Sequence, residues 1–153
     1  MAIKLSVKLK RLLLGDVTLT DGSLKDVLTE FSIHIFSGTI PDSPETAKSG
    51  SDTLLATYPG CSFLDAVYDS TLDNVVLKKE AAGWSVLAIA SGQAGWFRCF
   101  MPSPDDGLVA DIYKAYMRID GEISESDGDL VFSNKLFTIN TSKTIDQFNI
   151  SIT

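Results

Sequence analysis

Residues 83–101, GWSVLAIASGQAGWFRCFM, contain both tryptophans and one of the two cysteines. Trp84 to Ala90 and Trp96 to Met101 are apolar on both faces and too short for ordinary helices. That pattern predicts two central strands buried on both sides. Ser91 to Gly95 lies between them and contains Gly92 and Gly95, residues that reach positive φ without a Cβ clash, which suits a hairpin loop. Pro102 and Pro104 end the second run, because proline cannot donate to a strand ladder. The tryptophans read as core rather than as a ligand platform. Arg98, alone among apolar neighbours, is expected at a rim or an interface.

A chain of 153 residues with 44% hydrophobic residues can bury one core, so a single domain over residues 1–153 is expected. The net charge of −7 and a pI near 4.5 oppose nucleic-acid binding, which needs clustered Lys and Arg, and docking on an anionic membrane. No apolar run approaches the roughly 18 residues of a membrane span. The N-terminus, MAIKLSVKLKRLLLGD, is basic with a leucine run, but no secretory cleavage site follows it, so the run is expected to be retained. Cys61 and Cys99 are expected as reduced, buried thiols.

Around this centre the chain alternates short apolar runs with turn signals. Residues 1–31 read as a partly helical N-terminal arm. Leu5, Leu9, Leu12 and Leu13 share one helical face, which predicts a helix over Ser6 to Leu14. Ile3, Leu5, Val7 and Leu9 also alternate as a strand would, and the helix is preferred. Ser23 to Phe31 predicts a second helix, with Ser23 as cap and Leu24, Val27, Leu28 and Phe31 on one face. Ser32 to Ser37 alternates as a strand, Gly38 to Asp52 is a long surface loop, and Thr53 to Tyr58 is a strand followed by a Pro59-Gly60 turn. Strands are also expected at Val75 to Lys79, around Met117 and Ile119, at Leu130 to Phe132, at Leu136 to Asn140, and over Thr144 to Ile152 with an irregularity at Asp146-Gln147. About eight to ten short strands with turn signals every 8–12 residues predict a mostly β fold, a β-sandwich or jelly roll, with one or two short N-terminal helices.

Catalytic constellations are absent from this sequence. There is no Walker loop, GxGxxG, GxSxG, HExxH or CxxC. His34 is the only histidine; it has no acid-base partner identifiable in sequence and reads as a half-buried strand residue. Zinc is opposed by the same shortage of ligands. The acidic series Asp120, Glu122, Glu125, Asp127 and Asp129 is the only candidate cation site, but its spacing misses the EF-hand pattern and SDGD is an ordinary hairpin turn. No catalytic, cofactor-binding or metal-ligating residue is therefore assigned, no cofactor is expected, and the chain reads as a non-enzyme. A carbohydrate-binding module is a competitor, because sandwiches often bind sugars, although these aromatics lie in apolar strands rather than loops.

Three blocks resemble a family of small tailed-bacteriophage proteins: GSLKDVL with IHIFSGTIPDSPETAKSGSDTLLAT, then AGWFR at 94–98, then RIDGEISESDGDLVFSN with TIDQFNISI at 118–152. The family shows a pattern like LKDAL followed by I-IYSG-QP-SAD-A--GTLL. Its later turn reads more like GTSGADL, where this chain is more acidic. The resemblance covers most of the chain and carries no catalytic motif. It implies a virion structural protein, most simply a capsid decoration (cement) protein at the capsid surface. The implied partner is the major capsid protein, with assembly as a homo-oligomer, dimer or trimer. A tail or head-tail connector component is the alternative within the same class. The leucine-rich arm is expected either to dock on a partner or to pack on its own domain.

Overall fold

The computed structural model describes residues 3–7, 9–10, 30–63, 67–69, 74–78, 84–101 and 117–151. The chain is mostly β. Thirteen strands lie among these residues. They are β1 (Lys4–Leu5), β2 (Phe31–Phe36), β3 (Leu54–Cys61), β4 (Val67–Asp69), β5 (Asn74–Lys78), β6 (Ser85–Leu87), β7 (Gly92–Gln93), β8 (Trp96–Met101), β9 (Met117–Ser124), β10 (Leu130–Val131), β11 (Leu136–Phe137), β12 (Ser142–Thr144) and β13 (Gln147–Ser151).

Nine of them form one sheet in the order β3-β2-β8-β9-β10-β13-β5-β4, with β1 also paired to β9. β1 and β10 share one edge of β9: Leu5 is opposite Ile119, and Leu130 lies beside Ile123 in the sheet's parallel pairing. The sheet curls. Phe97 of β8 and Phe148 of β13 are separated in the sheet by β9 and β10, yet their ring centroids are 5.1 Å apart. The core forms inside this curl from one face of each strand: Phe31, Ile33 and Ile35 of β2, Phe97 and Cys99 of β8, and Ile119 and Ile123 of β9. Phe63 and Trp84 complete the aromatic cluster around Phe31 and Phe148.

β8 is central and buried on both faces from Trp96 to Phe100, as its composition predicts. Its expected hairpin partner is elsewhere. Residues 84–94 run antiparallel to residues 135–145 as a separate, interrupted ribbon, with β6 on β12 and β7 on β11. Gly95 explains the difference. Its amide donates to Phe36 O at 2.9 Å and its carbonyl accepts from Ile123 N at 3.2 Å, so the chain crosses from the ribbon into the large sheet instead of reversing. A Cβ at Gly95 would lie 2.1 Å from Gly38 O, so only glycine permits this crossing. The 84–90 run is accordingly not buried on both sides: Trp84 and Ala88 face the core, whereas Leu87 and Ile89 face outward.

Neither expected N-terminal helix is seen as a whole among the described residues. Lys4–Leu5 is a strand, the competing reading of its alternation, because β9 offers an edge to which it pairs. The ladder continues as Ser6 N donates to Arg118 O at 3.0 Å. Val7, Leu9 and Lys10, inside the expected Ser6–Leu14 helix, are helical, with Lys10 N donating to Ser6 O at 3.0 Å. Residues 8 and 11–29, which contain part of the first expected helix and most of the second, lie outside the described residues. Phe31, expected to close the second helix, opens β2, where its ring stacks on Phe63 at 5.0 Å. Pro59-Gly60, expected as a turn, lies within β3 as a bulge. The register with β2 shifts there and Gly60 takes a φ of 64°. The arm is not free in its described part, because Ser6 and Leu9 are fully buried.

Candidate functional site

The sheet's second face holds the polar groups. Register partners across five strands place Thr57, His34, Arg98, Asp120 and Lys4 in one row, from β3 through β2, β8 and β9 to β1. Strand alternation requires this: in WFRCFM and MRIDGEIS the residues facing away from the core are Trp96, Arg98 and Phe100, and Arg118, Asp120 and Glu122.

Arg98 is not at a rim. It is 1% exposed and makes a two-point ion pair with Asp120, Nε to Oδ1 at 2.8 Å and Nη2 to Oδ2 at 2.7 Å. Asp120 is fully buried. Burial of two charges costs several kcal/mol each unless geometry and further hydrogen bonds compensate, and the planar fork supplies both. The Arg98 guanidinium also lies 5.3 Å from the Trp96 ring centroid. Trp96 itself stacks on Phe36 at 4.5 Å. His34, half-buried as expected, sits edge-on to Phe100 at 4.4 Å and to Phe36 at 5.8 Å.

The long loop shields this row from water. Arg98 Nη2 donates to Thr46 O at 3.1 Å, Arg118 Nη1 to Pro44 O at 3.0 Å, and Lys4 Nζ to Pro41 O at 2.6 Å. The Val7 amide donates to the Glu45 carboxylate. Three cations therefore hold three loop carbonyls, and residues 38–52 become a lid packed on the sheet. Glu45 is held below its ordinary carboxylate range. Burial alone would raise it, but hydrogen bonds from Ser43 and Val7 and the charge of Lys10 outweigh that effect. At the loop's ends Ser37 N donates to Thr53 O at 3.0 Å and Thr53 N to Ser37 Oγ at 2.9 Å.

The acidic series does not converge. Asp120 is committed to Arg98, Glu125 accepts from Lys135 N at 2.8 Å, and Asp127 accepts from the Ser126 hydroxyl at 2.8 Å. Among the described residues no group of three or more His, Cys, Asp or Glu could hold a metal ion. Asp129 is the perturbed member: burial, reinforced by Glu122, pushes its carboxyl up to about 6. Cys61 and Cys99 are buried and in no disulfide, and burial pushes the Cys99 thiol well up, away from nucleophilic use. A half-open cavity of about 220 Å³ lies between Tyr58, Pro59, Cys61, Trp84, Ser85 and Val86, with no charged group in its wall.

Sequence reasoning missed the Arg98–Asp120 pair, although a signal existed. A lone charge within a doubly buried strand requires an opposite charge on a neighbouring strand, and Asp120 lies between Ile119 and Gly121 in MRIDGEIS, a stretch whose alternation carries Arg118, Asp120 and Glu122 on one face. No family model matches the chain, and no curated protein or solved structure is significantly similar to it. No helix among the described residues is long and apolar enough to cross a membrane.

Proposed function

We propose that this chain is a bacteriophage virion structural protein that works by protein-protein contact, most simply as a capsid decoration (cement) protein bound to the major capsid protein at the capsid surface. In that role the curled sheet and its ribbon form a β-sandwich or jelly roll. The family resemblance of the three sequence blocks suggests the class. The observation that carries the reading beyond resemblance is how the polar row is used. Arg98, Arg118 and Lys4 are spent on holding the 38–52 lid, and Asp120 on neutralising Arg98. Such a site stiffens a domain and offers no open acid-base pair to a substrate. Rigidity suits a protein whose work is to bury surface against a shell.

Burial of Ser6 and Leu9 speaks against docking through those two side chains. Removing residues 2–14 would take β1 out of the sheet, so that deletion tests folding rather than docking. The direct test is co-sedimentation of the purified chain with empty shells lacking it, with copies counted per shell. A copy number matching the lattice supports decoration. A handful of copies points to a neck or tail component. No binding to the particle, together with glycan binding by the isolated chain, would replace the proposal with a carbohydrate-binding module. The burial of Trp84, Trp96 and Tyr58 opposes that alternative, since sugar platforms need exposed rings.

A further inference from the structure

The ribbon formed by residues 84–94 and 135–145 turns one row of side chains to the core and the other to solvent. The outward row is unusual. Leu87, Ile89, Leu136 and Ile139 are 61%, 53%, 57% and 50% exposed. Two paired stretches carry them: Ser142 is opposite Leu87 in one and Leu136 is opposite Gln93 in the other, and across the interruption between these stretches Asn140 N donates to Ala88 O at 2.8 Å and Ile139 N to Ser91 Oγ at 3.0 Å, which keeps Ile89 and Ile139 beside them on the same ribbon. Their exposed neighbours Ser85, Ser142 and Thr144 are hydroxylic, and the Ser85 and Thr144 hydroxyls already bond each other.

We infer that this ribbon face is a self-association surface and that its occupant is the same face of a second copy of the chain. The argument is one of complementarity. In a two-fold contact each surface meets itself, so it must carry groups that suit their own kind. Aliphatic side chains do, and hydroxyls do, being both donors and acceptors. A single sign of charge does not. On a chain of net charge −7, residues 84–94 contain no charged residue and residues 135–145 contain only Lys135 and Lys143. The Lys143 ammonium is turned back onto its own chain, donating to Asn134 O at 3.1 Å and lying 5.1 Å from the Phe137 ring centroid. Neither strand of the ribbon therefore brings a carboxylate of its own to the contact, and Glu125, which accepts from Lys135 N at 2.8 Å, stands at one end of it. An exposed aliphatic patch on strands is otherwise a liability that soluble chains avoid. This inference does not depend on the virion reading and holds for any role of the chain.

Salt gives it a distinctive sign. Two bodies of charge −7 repel at a distance and salt screens that repulsion, so association tightens as salt rises. A different partner, with carboxylates around an apolar spot and drawn by Lys135 and Lys143, would instead be released by salt.

The test is sedimentation equilibrium of the full chain at low and high salt. The expected result is a monomer–dimer equilibrium that tightens with salt. Leu87→Ser with Ile139→Ser should weaken it by about tenfold or more, because each aliphatic anchor contributes on that scale, with unchanged circular dichroism. Ile89→Lys, which folds without burying its charge, should do the same by placing like charges across the contact. Val7→Ser, an exposed aliphatic outside the ribbon, should leave association unchanged. A wild-type chain that stays monomeric at every concentration, an assembly loosened by salt, or ribbon variants that dimerise like wild type would each overturn the inference.

Discussion

Replacing Arg98 with Met tests what holds the lid and the sheet together. Methionine keeps most of the side-chain volume but leaves the Asp120 carboxylate, fully buried, without its two-point partner, and the Thr46 carbonyl without its donor. Removing one member of a buried pair typically costs about 3–5 kcal/mol. The side chains are 2% and 0% exposed, so solvent screening does not reduce this figure. Lys4 stands opposite Asp120 on β1 and retains some compensation, which places the expectation near about 3 kcal/mol. For a chain of this size that corresponds to roughly 6–12 °C in melting temperature. Urea unfolding of wild type, R98M, D120L and R98M/D120L completes a double-mutant cycle. The double variant should lose clearly less than the sum of the singles, because an apolar pair carries no uncompensated charge. A loss below about 1 kcal/mol for R98M, or strict additivity in the cycle, would refute the claim that this pair is desolvated and coupled.

Asp129 gives a pH signature. Its folded pKa of about 6 is above the ordinary 3.8, so the fold favours its protonated form. The stability it contributes is present below 3.8 and lost as pH rises through 6. Asp129→Asn should therefore raise the melting temperature near pH 8 and lose that advantage by pH 4; an equal gain at both would remove the assignment. Gly95→Ala places a Cβ 2.1 Å from Gly38 O and should cost at least about 3 kcal/mol in urea unfolding, whereas Gly50→Ala, with open space around it, should stay within about 0.5 kcal/mol. Trp96→Ala removes a fully buried ring stacked on Phe36 and should cost about 3–5 kcal/mol; an unchanged melting temperature would show that the ring is not core. Cys61 and Cys99 should resist a bulky thiol reagent in the native state and both react in urea.

Local pattern carried most of the strand assignments. SIHIF, WFRCFM and the stretch around Met117 and Ile119 announce strands by their apolar residues, and the structure has β2, β8 and β9 there, although the burial of Arg98, Arg118 and Asp120 is not written in their residue types. The half-buried histidine and the two buried thiols were legible in the same way. Errors arose where local pattern admits two answers. An aliphatic run such as SVLAIA fits either a doubly buried strand or a ribbon with an apolar outer face, and nothing in the run shows which. The alternation of Ile3, Leu5 and Val7 against the helical spacing of Leu5, Leu9 and Leu12 is a similar tie, decided for Lys4–Leu5 by an edge of β9 more than a hundred residues away.

The lid shows the same division most clearly. GTIPDSPETAKSGSD has the Pro, Ser, Asp and Gly content of a surface loop, and its residues form no strand. Its function as a cover over Arg98, Arg118 and Asp120 depends on Pro41, Pro44 and Thr46 carbonyls, which carry no side-chain signature. Sequence by itself determined which residues had to leave water and that they would do so as short strands, because period-two burial is a property of neighbouring residues. Tertiary structure alone decided which strands pair, which charges meet, and which apolar face remains outside. Those outcomes depend on groups brought together across 22 residues for Arg98 and Asp120 and 74 for Arg118 and Pro44, separations at which chain connectivity imposes almost no preference and packing decides.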